Sequence, residues 1–339
     1  GDDLISLRDR GYWGGLILLG AAVITRPTGE DSVEGIQSSE IRARYGGTNN
    51  DDNSGVLRYV SIRHGGAALN TGNEINGLTL GGVGRQTVVE YVEVAYNSDD
   101  GIEIFGGTVN CKHIAISFCN DDSMDYDFGW HGKGQFWVIL QGDDTPGNAG
   151  EHDGAQPDGE NPFSKPVIAN VTYIGGGLEA EGDNEYALYF RDRAGGAYYN
   201  SIFTSFRAKA LNIEDLPPGA GGDCHENLLN GDLILRNNLW WNFGGGDRWS
   251  DLIQLYATGD DPTGADLTAH LQANNNNLND PQLGGISRRA DGGFDPRPSA
   301  GSPALRNAIP VADDYFEPVS YQGAFSNTDN WLTGWTALA

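Results

Sequence analysis

The chain repeats itself at a spacing of 22 residues. VEYVEVAYNSDDGIEIFGGTVN (Val89–Asn110) is followed directly by CKHIAISFCNDDSMDYDFGWHG (Cys111–Gly132), and QFWVILQG begins a third unit at Gln135. Repeats of this length that contain short β runs are typical of a parallel β-solenoid, because each coil buries its apolar face only against its neighbours. The sequence therefore predicts stacked strands about 4.8 Å apart, in which every second side chain faces inward.

Other segments extend the repeat. LRYVSIRHGG, from Leu57, matches the first unit at an offset of 32 residues, and YALYFRD, from Tyr186, matches KALNIED at an offset of 23. In this alignment Val92 lies over Ile114 and Phe136 inside the coil, whereas Trp137 faces outward. Trp137 and one of Trp240 and Trp241 are therefore candidate stacking faces for sugars, although packing beneath a loop is the alternative. Asparagines that precede later β runs predict a ladder of amides inside one corner: Asn170, Asn200 and Asn237.

These patterns predict an all-β fold. We expect a single-stranded, right-handed parallel β-helix over residues 1–280, with coils of about 22 residues and inserted loops. Residues 281–339 are rich in turn residues, and we expect them to cap the terminal coil, whose strand edges are otherwise unpaired. The N-terminal segment shows no polar cap. We therefore expect either that a second chain adds to the open coil, building head-to-tail filaments, or that further coils precede it.

The charge of the chain excludes some classes of partner. Its 47 acidic and 21 basic side chains give a net charge of −26, so nucleic acid and anionic membrane surfaces, which require a basic face, are not expected to bind. The sequence lacks the run of about 18 apolar residues that inserts into a membrane. Three cysteines, Cys111, Cys119 and Cys224, cannot all pair within one chain, and burial as small apolar residues is their expected role.

Acidic side chains stack in the predicted register. The 22-residue offset lays Asp99 over Asp121, Asp100 over Asp122 and Glu103 over Asp125, on the outer face of the coil. Carboxylates about 5 Å apart repel one another, which raises their pKa values or recruits a cation. A hard cation with oxygen ligands, above all Ca²⁺, is the expected cofactor. The loops that contain Asp51, Asp52, Asp143 and Asp144 offer the same ligands, with an ordinary turn as the alternative.

A catalytic interpretation is the alternative for the same residues. Asn97 and Asp99, Asp121 and Asp122, His131, and Arg207 with Lys209 are similar in order to the polygalacturonase family of inverting glycoside hydrolases. The spacing argues against this, because His131 follows Asp121 by only 10 residues and therefore cannot lie one coil further along the same face.

A polysaccharide lyase requires a base for the proton α to a carboxyl group, and Lys133, Arg191 and Arg193 are candidates. Arg191 aligns with Glu214 in the next coil, however, and a structural salt bridge explains it as well. If the protein is an enzyme, we therefore expect its site among Asp99, Asp121, Asp122, Lys133 and Arg191.

A resemblance to a known family accompanies these motifs. GYWGGLILLG, DDNSGVLRYVSIRHGG, NEINGLTLGGVGRQTVVEYVEV, NSDDGIEIFGGTVN, SPAL and NWLTGWTAL are spread over nearly the whole chain. Together they resemble a family of secreted parallel β-helix surface proteins of unassigned function from marine and environmental bacteria. The resemblance implies the fold and an extracellular or cell-surface location, and it supplies no catalytic residues.

The sequence favours a calcium-stabilised structural or surface protein that associates with itself into filaments, a surface layer or a matrix. The alternatives are a polysaccharide lyase or glycoside hydrolase that acts on an acidic polysaccharide, and a carbohydrate-binding protein without catalysis.

Overall fold

The computed structural model describes residues 8–70, 73, 75–145, 147–181, 186–217, 222–256, 259, 261–289 and 293–338. In chain order, its strands are β1 (Leu16–Leu19), β2 (Glu30–Ser32), β3 (Arg44–Gly46), β4 (Val56–Arg63), β5 (Leu78–Gly81), β6 (Val88–Ala95), β7 (Ile102–Phe105), β8 (Asn110–Ser117), β9 (Met124–Asp127), β10 (Lys133–Leu140), β11 (Gly150–Asp153), β12 (Val167–Ala169), β13 (Thr172–Ile174), β14 (Tyr186–Arg191), β15 (Gly196–Tyr199), β16 (Ile202–Thr204), β17 (Lys209–Glu214), β18 (Leu233–Arg236), β19 (Leu239–Trp241), β20 (Ile253–Tyr256), β21 (Leu283–Ile286) and β22 (Phe294–Pro298). The helices are α1 (Cys224–Asn230), α2 (Trp249–Leu252) and α3 (Ala265–Ala273), with 3₁₀ turns at Ile41–Ala43 and Pro303–Leu305.

Two parallel sheets form the walls of a solenoid. Sheet 1 has the strand order β1-β5-β7-β9-β11-β14-β17-β20. Sheet 2 contains β4-β6-β8-β10, after which each coil contributes two shorter strands, first β12 and β13, then β15 and β16, then β18 and β19. Neighbouring strands come from successive coils and pair in parallel, as between β6 and β8 and between β7 and β9. The predicted all-β parallel solenoid is confirmed.

The register follows the predicted offsets except at β10. Val92 pairs with Ile114 and Glu103 with Asp125, both at the predicted offset of 22 residues. In the next coil Ile114 pairs with Trp137 and not with Phe136. The turn before β10, residues 128–132, is one residue longer than the turn at 106–109. A slip of one residue reverses the facing of a whole strand.

Trp137 therefore lies inside the solenoid, where it is fully buried, and its Nε1 donates to the backbone oxygen of Cys111 at 2.8 Å. The expectation that Trp137 faces outward is wrong. Trp240 is also buried, and its ring stacks on Phe203 with 4.2 Å between centroids, whereas Trp241 is 39% exposed.

The interior is apolar along the length of the molecule. Ile102, Ile104, Met124 and Tyr126, which alternate with the acidic residues of β7 and β9, have no exposed surface and belong to the largest hydrophobic cluster. Removing such side chains from water contributes about 25 cal/mol per Å² of apolar surface. This alternation fixes which side chains of sheet 1 face outward.

Sheet 2 bends at a column of residues with left-handed backbone. The members share φ values between +53° and +60° and are Tyr59, Tyr91, His113, Phe136, Asn170, Asn200 and Asn237. The aromatic members stack, with 4.6 Å between the ring centroids of Tyr59 and Tyr91 and 4.2 Å between those of Tyr91 and His113. Because aromatic residues rarely adopt this conformation, sequence propensity gives no sign of the column.

Asn170, Asn200 and Asn237 continue this column, and they face outward rather than into the coil. Their side-chain amides donate to backbone oxygens of the C-terminal segment, as Asn200 Nδ2 does to Ile309 at 2.8 Å. The internal ladder lies one residue later in the chain, where the amide oxygen of Asn238 accepts from Ser201 N at 2.8 Å. The predicted position inside the corner is therefore wrong for the three asparagines.

The C-terminal segment runs along the outer face of sheet 2 rather than over the end of the solenoid. We call residues 293–338 the C-terminal strap. Its Glu317 exchanges two hydrogen bonds of 2.9 Å with the Gln135 side chain of β10, and Trp335 packs edge-on against Tyr59 of β4. The last coils are covered instead by α3, whose Leu267 and Leu271 are buried in the largest cluster.

All three cysteines are free and buried. Burial raises the pKa of the Cys111 and Cys119 thiols to about 12, so both stay protonated near neutral pH. A search of the described residues finds no helix with the length and apolar character needed to cross a membrane.

Candidate metal centre

Carboxylates from three neighbouring coils line up on the outer face of sheet 1. Glu103, Asp125 and Glu151 are the second residues of β7, β9 and β11 and pair directly with one another. Asp100 and Asp122 precede the first two of these strands, and the Asp122 backbone N–H donates to Asp100 Oδ1 at 3.0 Å. We call these five residues the carboxylate column.

The column brings potential ligand atoms close together. One oxygen each from Asp100, Glu103 and Asp125 lies within 4.8 Å of the other two. The same holds for Asp99, Asp100 and Asp121. The six acidic residues that the sequence placed in one register therefore lie on one side of the coil, in two groups that share Asp100.

Burial makes the charged form of these carboxyls unfavourable. Asp100 and Asp125 are only 8% and 7% exposed. Desolvation, reinforced by the charges of neighbouring carboxylates, raises the pKa of Asp100, Glu103 and Asp125 well above the usual range. Desolvation raises the pKa of Glu151 to about 7. A cation among these groups removes the repulsion.

One buried oxygen in the column lacks a partner. Asp125 Oδ1 is buried and accepts no hydrogen bond. Leaving a buried acceptor unpaired costs about 1–3 kcal/mol, and more when the group is charged. By contrast, Glu103 accepts a hydrogen bond from Asn76 Nδ2. The unpaired oxygen of Asp125 belongs to the residue at the centre of the column, where a bound ion has most carboxylates within reach.

An arginine closes one end of the column. Arg191 lies 2.9 Å from Glu151 Oε2 and 2.7 Å from Asp153 Oδ1. Burial alone lowers the pKa of Arg191, but the hydrogen bond and charge of Asp153 and the charge of Glu151 outweigh it and raise the pKa. The expected Arg191–Glu214 salt bridge is absent among the described ion pairs, because Glu214 Oε2 accepts instead from Arg193 N at 3.0 Å.

Sequence reasoning missed Glu151, Asp153 and the buried Asp127. The longer loop before β11 hid their register, since Glu151 follows Asp125 by 26 residues rather than 22. The sequence signal was the acidic alternation GEHD at Gly150–Asp153, which repeats the pattern of MDYD at Met124–Asp127.

The other predicted metal ligands lie elsewhere. Asp51 lies 3.1 Å from Arg85 Nε, and Asp52 accepts from Ser54 Oγ at 2.9 Å. Asp143 and Asp144 lie 3.4 and 3.3 Å from the Arg8 guanidinium. In the part of the chain that the structure describes, these four aspartates join no group of three histidine, cysteine or carboxylate ligands.

The residues considered for catalysis are dispersed. Lys133 begins β10 in sheet 2, where its Nζ lies 2.6 Å from Asp313 Oδ2, whereas the carboxylate column is on sheet 1. Arg191 is held by two carboxylates. The oxygens of Asp99 and Asp121 lie within 4.8 Å, closer than the roughly 6.5–9.5 Å that separates the two carboxyls of an inverting glycosidase.

Comparison with known proteins gives one finding. A family model described as a pectate-lyase like beta helix domain matches residues 5–238, which is more than half of the chain. No curated protein and no solved structure shows a significant match.

Proposed function

Because the chain belongs to the pectate-lyase-like β-helix family, we propose that it is an extracellular or cell-surface β-helix with a structural role, stabilised by Ca²⁺ in the carboxylate column. The observation that carries the proposal is the convergence of Asp100, Glu103 and Asp125 around a buried oxygen without a partner. Asp122 and Glu151 add further oxygen atoms, and Ca²⁺ takes six to eight of them.

The ligands come from separate coils, which gives the ion a structural effect. Glu103 lies on β7, Asp125 on β9 and Glu151 on β11. A bound Ca²⁺ neutralises these charges and links neighbouring coils. Because a solenoid is stabilised by contacts between neighbouring coils, an ion shared by them adds to the stability of the whole domain.

A structural role is favoured over a lyase by the lack of a suitable base at the column. A lyase base must be able to lose its proton near neutral pH, whereas the pKa of Arg191 is raised and its guanidinium is held by Glu151 and Asp153. Lys133 begins a strand of the other sheet.

The direct test is removal of the ion. Protein purified in EDTA is expected to unfold at a lower temperature than protein in millimolar Ca²⁺, and Mg²⁺ is expected to restore less, because Mg²⁺ demands a tighter octahedral site. Identical melting temperatures in EDTA and Ca²⁺ contradict calcium stabilisation.

A second candidate function is the binding of an acidic polysaccharide. Arg85, His131 and Lys133 line a cavity of about 340 Å³, together with the polar residues Asn50 and Thr108. In a chain with a net charge of −26, three basic side chains around one cavity form a favourable site for the carboxylate of a sugar.

Uronic-acid oligosaccharides test this candidate. Binding measured by calorimetry is expected to weaken in Arg85→Gln and Lys133→Gln and to persist in Lys165→Gln, a lysine that pairs with Asp232 at the surface. Unsaturated products or new reducing ends during incubation favour the enzymatic alternative. Equal binding by all variants contradicts the cavity as the site.

Self-association is the remaining part of the proposal. β1 and β20 are the outermost strands of sheet 1, and each pairs with one other strand in the described residues. Parallel addition of β20 from one molecule to β1 of another continues the sheet in a head-to-tail filament.

A further inference from the structure

A second cluster of potential ligands lies in the later coils, outside the carboxylate column. His225 is the second residue of α1, Asp266 is the second residue of α3, and Asp261 precedes α3. One ligand atom from each of these residues lies within 4.8 Å of the other two. His225 and Asp261 are 5% and 4% exposed.

The imidazole ring of His225 is oriented by a buried carboxylate. Its Nδ1 lies 3.2 Å from Oδ1 of Asp215, which is 1% exposed. Since an ionised carboxylate only accepts hydrogen bonds, Nδ1 carries the proton in this pair, and a neutral ring then has a lone pair at Nε2. Nε2 is buried, makes no hydrogen bond and lies 3.4 Å from Asp266 Oδ2. A lone pair that faces a carboxylate is repulsive unless a cation lies between them.

We propose that His225, Asp261 and Asp266 bind a divalent transition-metal ion, with Zn²⁺ as the preferred ion. Imidazole nitrogen favours Zn²⁺, whereas Ca²⁺ requires six to eight oxygens. Bonds of about 2.0–2.1 Å to a tetrahedral Zn²⁺ place neighbouring ligand atoms about 3.4 Å apart, which is the distance between His225 Nε2 and Asp266 Oδ2. A histidine whose other nitrogen donates to a carboxylate, as here to Asp215, is the usual arrangement in zinc sites.

Backbone hydrogen bonds hold the ligands in place. Asp261 Oδ1 accepts from Ala265 N at 2.7 Å, and its Oδ2 accepts from Asp266 N at 2.8 Å. The second oxygen of Asp215 accepts from Asp261 N at 3.0 Å. The Asp266 side chain is 53% exposed, which gives an ion access from solvent. The site links α1 to α3, the helix that covers the last coils, so the role of the ion is structural.

Metal binding by the full chain tests the proposal. Metal-free protein is expected to take up one tightly bound Zn²⁺ in equilibrium dialysis, with a rise in melting temperature, and Co²⁺ in its place is expected to give the visible absorption of a four-coordinate site. Asp266→Asn changes an exposed residue and leaves the fold intact. It is expected to weaken Zn²⁺ binding by about tenfold or more, and His225→Gln is expected to act in the same direction.

Two control variants separate this site from other acidic groups. Glu226→Gln removes the exposed carboxylate next to His225, and Asp125→Asn alters the carboxylate column. Both are expected to keep wild-type Zn²⁺ binding and the Co²⁺ spectrum. Unchanged Zn²⁺ affinity in Asp266→Asn, or displacement of Zn²⁺ by equimolar Ca²⁺, overturns the proposal. Lack of Zn²⁺ uptake by the wild-type chain also overturns it, and His225 is then an imidazolium paired with Asp215 and Asp266.

Discussion

Asp125 is the residue at which burial and charge conflict most directly. It is 7% exposed, lies between Glu103 and Glu151 in the sheet, and has an oxygen without a hydrogen-bond partner. Without a cation its ionised form is repelled from both sides, and with one it is a ligand at the centre of the column. Asparagine has nearly the same shape and no charge, so this substitution separates the two effects.

Asp125→Asn is expected to change the calcium-free and calcium-bound proteins in opposite ways. In EDTA near pH 8, its melting temperature is expected to equal or exceed that of the wild type, because a repulsive charge is gone. Ca²⁺ affinity is expected to fall about tenfold, equivalent to about 1.4 kcal/mol, with a smaller thermal shift on adding Ca²⁺. Calorimetry and thermal melts measure both quantities. Asp314→Asn, at an exposed position, is the control, and an equal calcium shift in both variants contradicts the assignment.

The raised carboxyl pKa values give a pH dependence with a definite sign. Glu151 has a pKa of about 7 in the folded protein against 4.5 ordinarily, so the folded state holds its proton more tightly. The resulting stability is complete below pH 4.5 and is lost as the pH rises through 7. Burial lowers the pKa of His113 to about 4 and of His152 to about 3, which acts in the opposite direction only below their ordinary value of 6.5.

Between pH 6.5 and about pH 8.5 the carboxyls dominate, because several have pKa values raised even further than that of Glu151. In EDTA the melting temperature is therefore expected to fall across this interval. Saturating Ca²⁺ is expected to flatten or reverse the slope, because the ion binds deprotonated carboxylates. A calcium-free protein that gains stability with rising pH in this interval contradicts the prediction.

At the scale of strands, the sequence predicted the architecture wherever the coils have equal length. The offset of 22 residues placed Glu103 over Asp125 correctly. It failed for β10, because one extra residue in the preceding turn turned Trp137 inward. Loop length is not encoded in strand periodicity, and the longer loop before β11 hid Glu151 for the same reason.

The asparagine ladder shows a second limit of sequence patterns. Asn237 and Asn238 are adjacent, and only the fold decides that the first contacts the C-terminal strap while the second faces inward. The contacts of the strap with sheet 2 join residues about 70 to 240 positions apart, which local sequence patterns do not reveal.

Asn238→Ala is expected to destabilise the fold strongly. Asn238 is fully buried, its oxygen accepts from Ser201 N at 2.8 Å, and its amide nitrogen donates to Tyr198 O at 3.0 Å. Removing it leaves a buried N–H and a buried C=O without these partners, at a cost of about 2–4 kcal/mol in the free energy of unfolding. Asn279→Ala, at an exposed position, is expected to change it by less than about 0.5 kcal/mol. Urea denaturation compares the two, and similar losses in both contradict a special role of the ladder.

At the scale of the whole molecule, the two ends of the solenoid differ. The first coil presents apolar side chains to solvent, with Val56 of β4 69% exposed and Tyr12 63% exposed. β4 pairs only with β6 among the described strands. At the other end α3 covers part of the core, while β20 remains the outermost strand of sheet 1. This asymmetry suits a head-to-tail contact better than a symmetric one, because each end presents a different surface.

Val56→Lys is expected to weaken self-association without unfolding the chain. A lysine on an exposed edge strand opposes the addition of another strand, because its charge must leave water, and Val56 packs against little that the change can disturb, being 69% exposed. Light scattering and negative-stain electron microscopy are expected to show filaments or oligomers of the wild type and mainly monomers of the variant at the same concentration. Leu229→Lys, on the exposed side of α1 at 60% exposure, adds the same charge away from both outermost strands of sheet 1 and is expected to assemble like the wild type. Assembly unaffected by Val56→Lys places the contact elsewhere, and a wild type that stays monomeric at high concentration removes the filament from the proposed function while leaving calcium stabilisation to be decided by its own test.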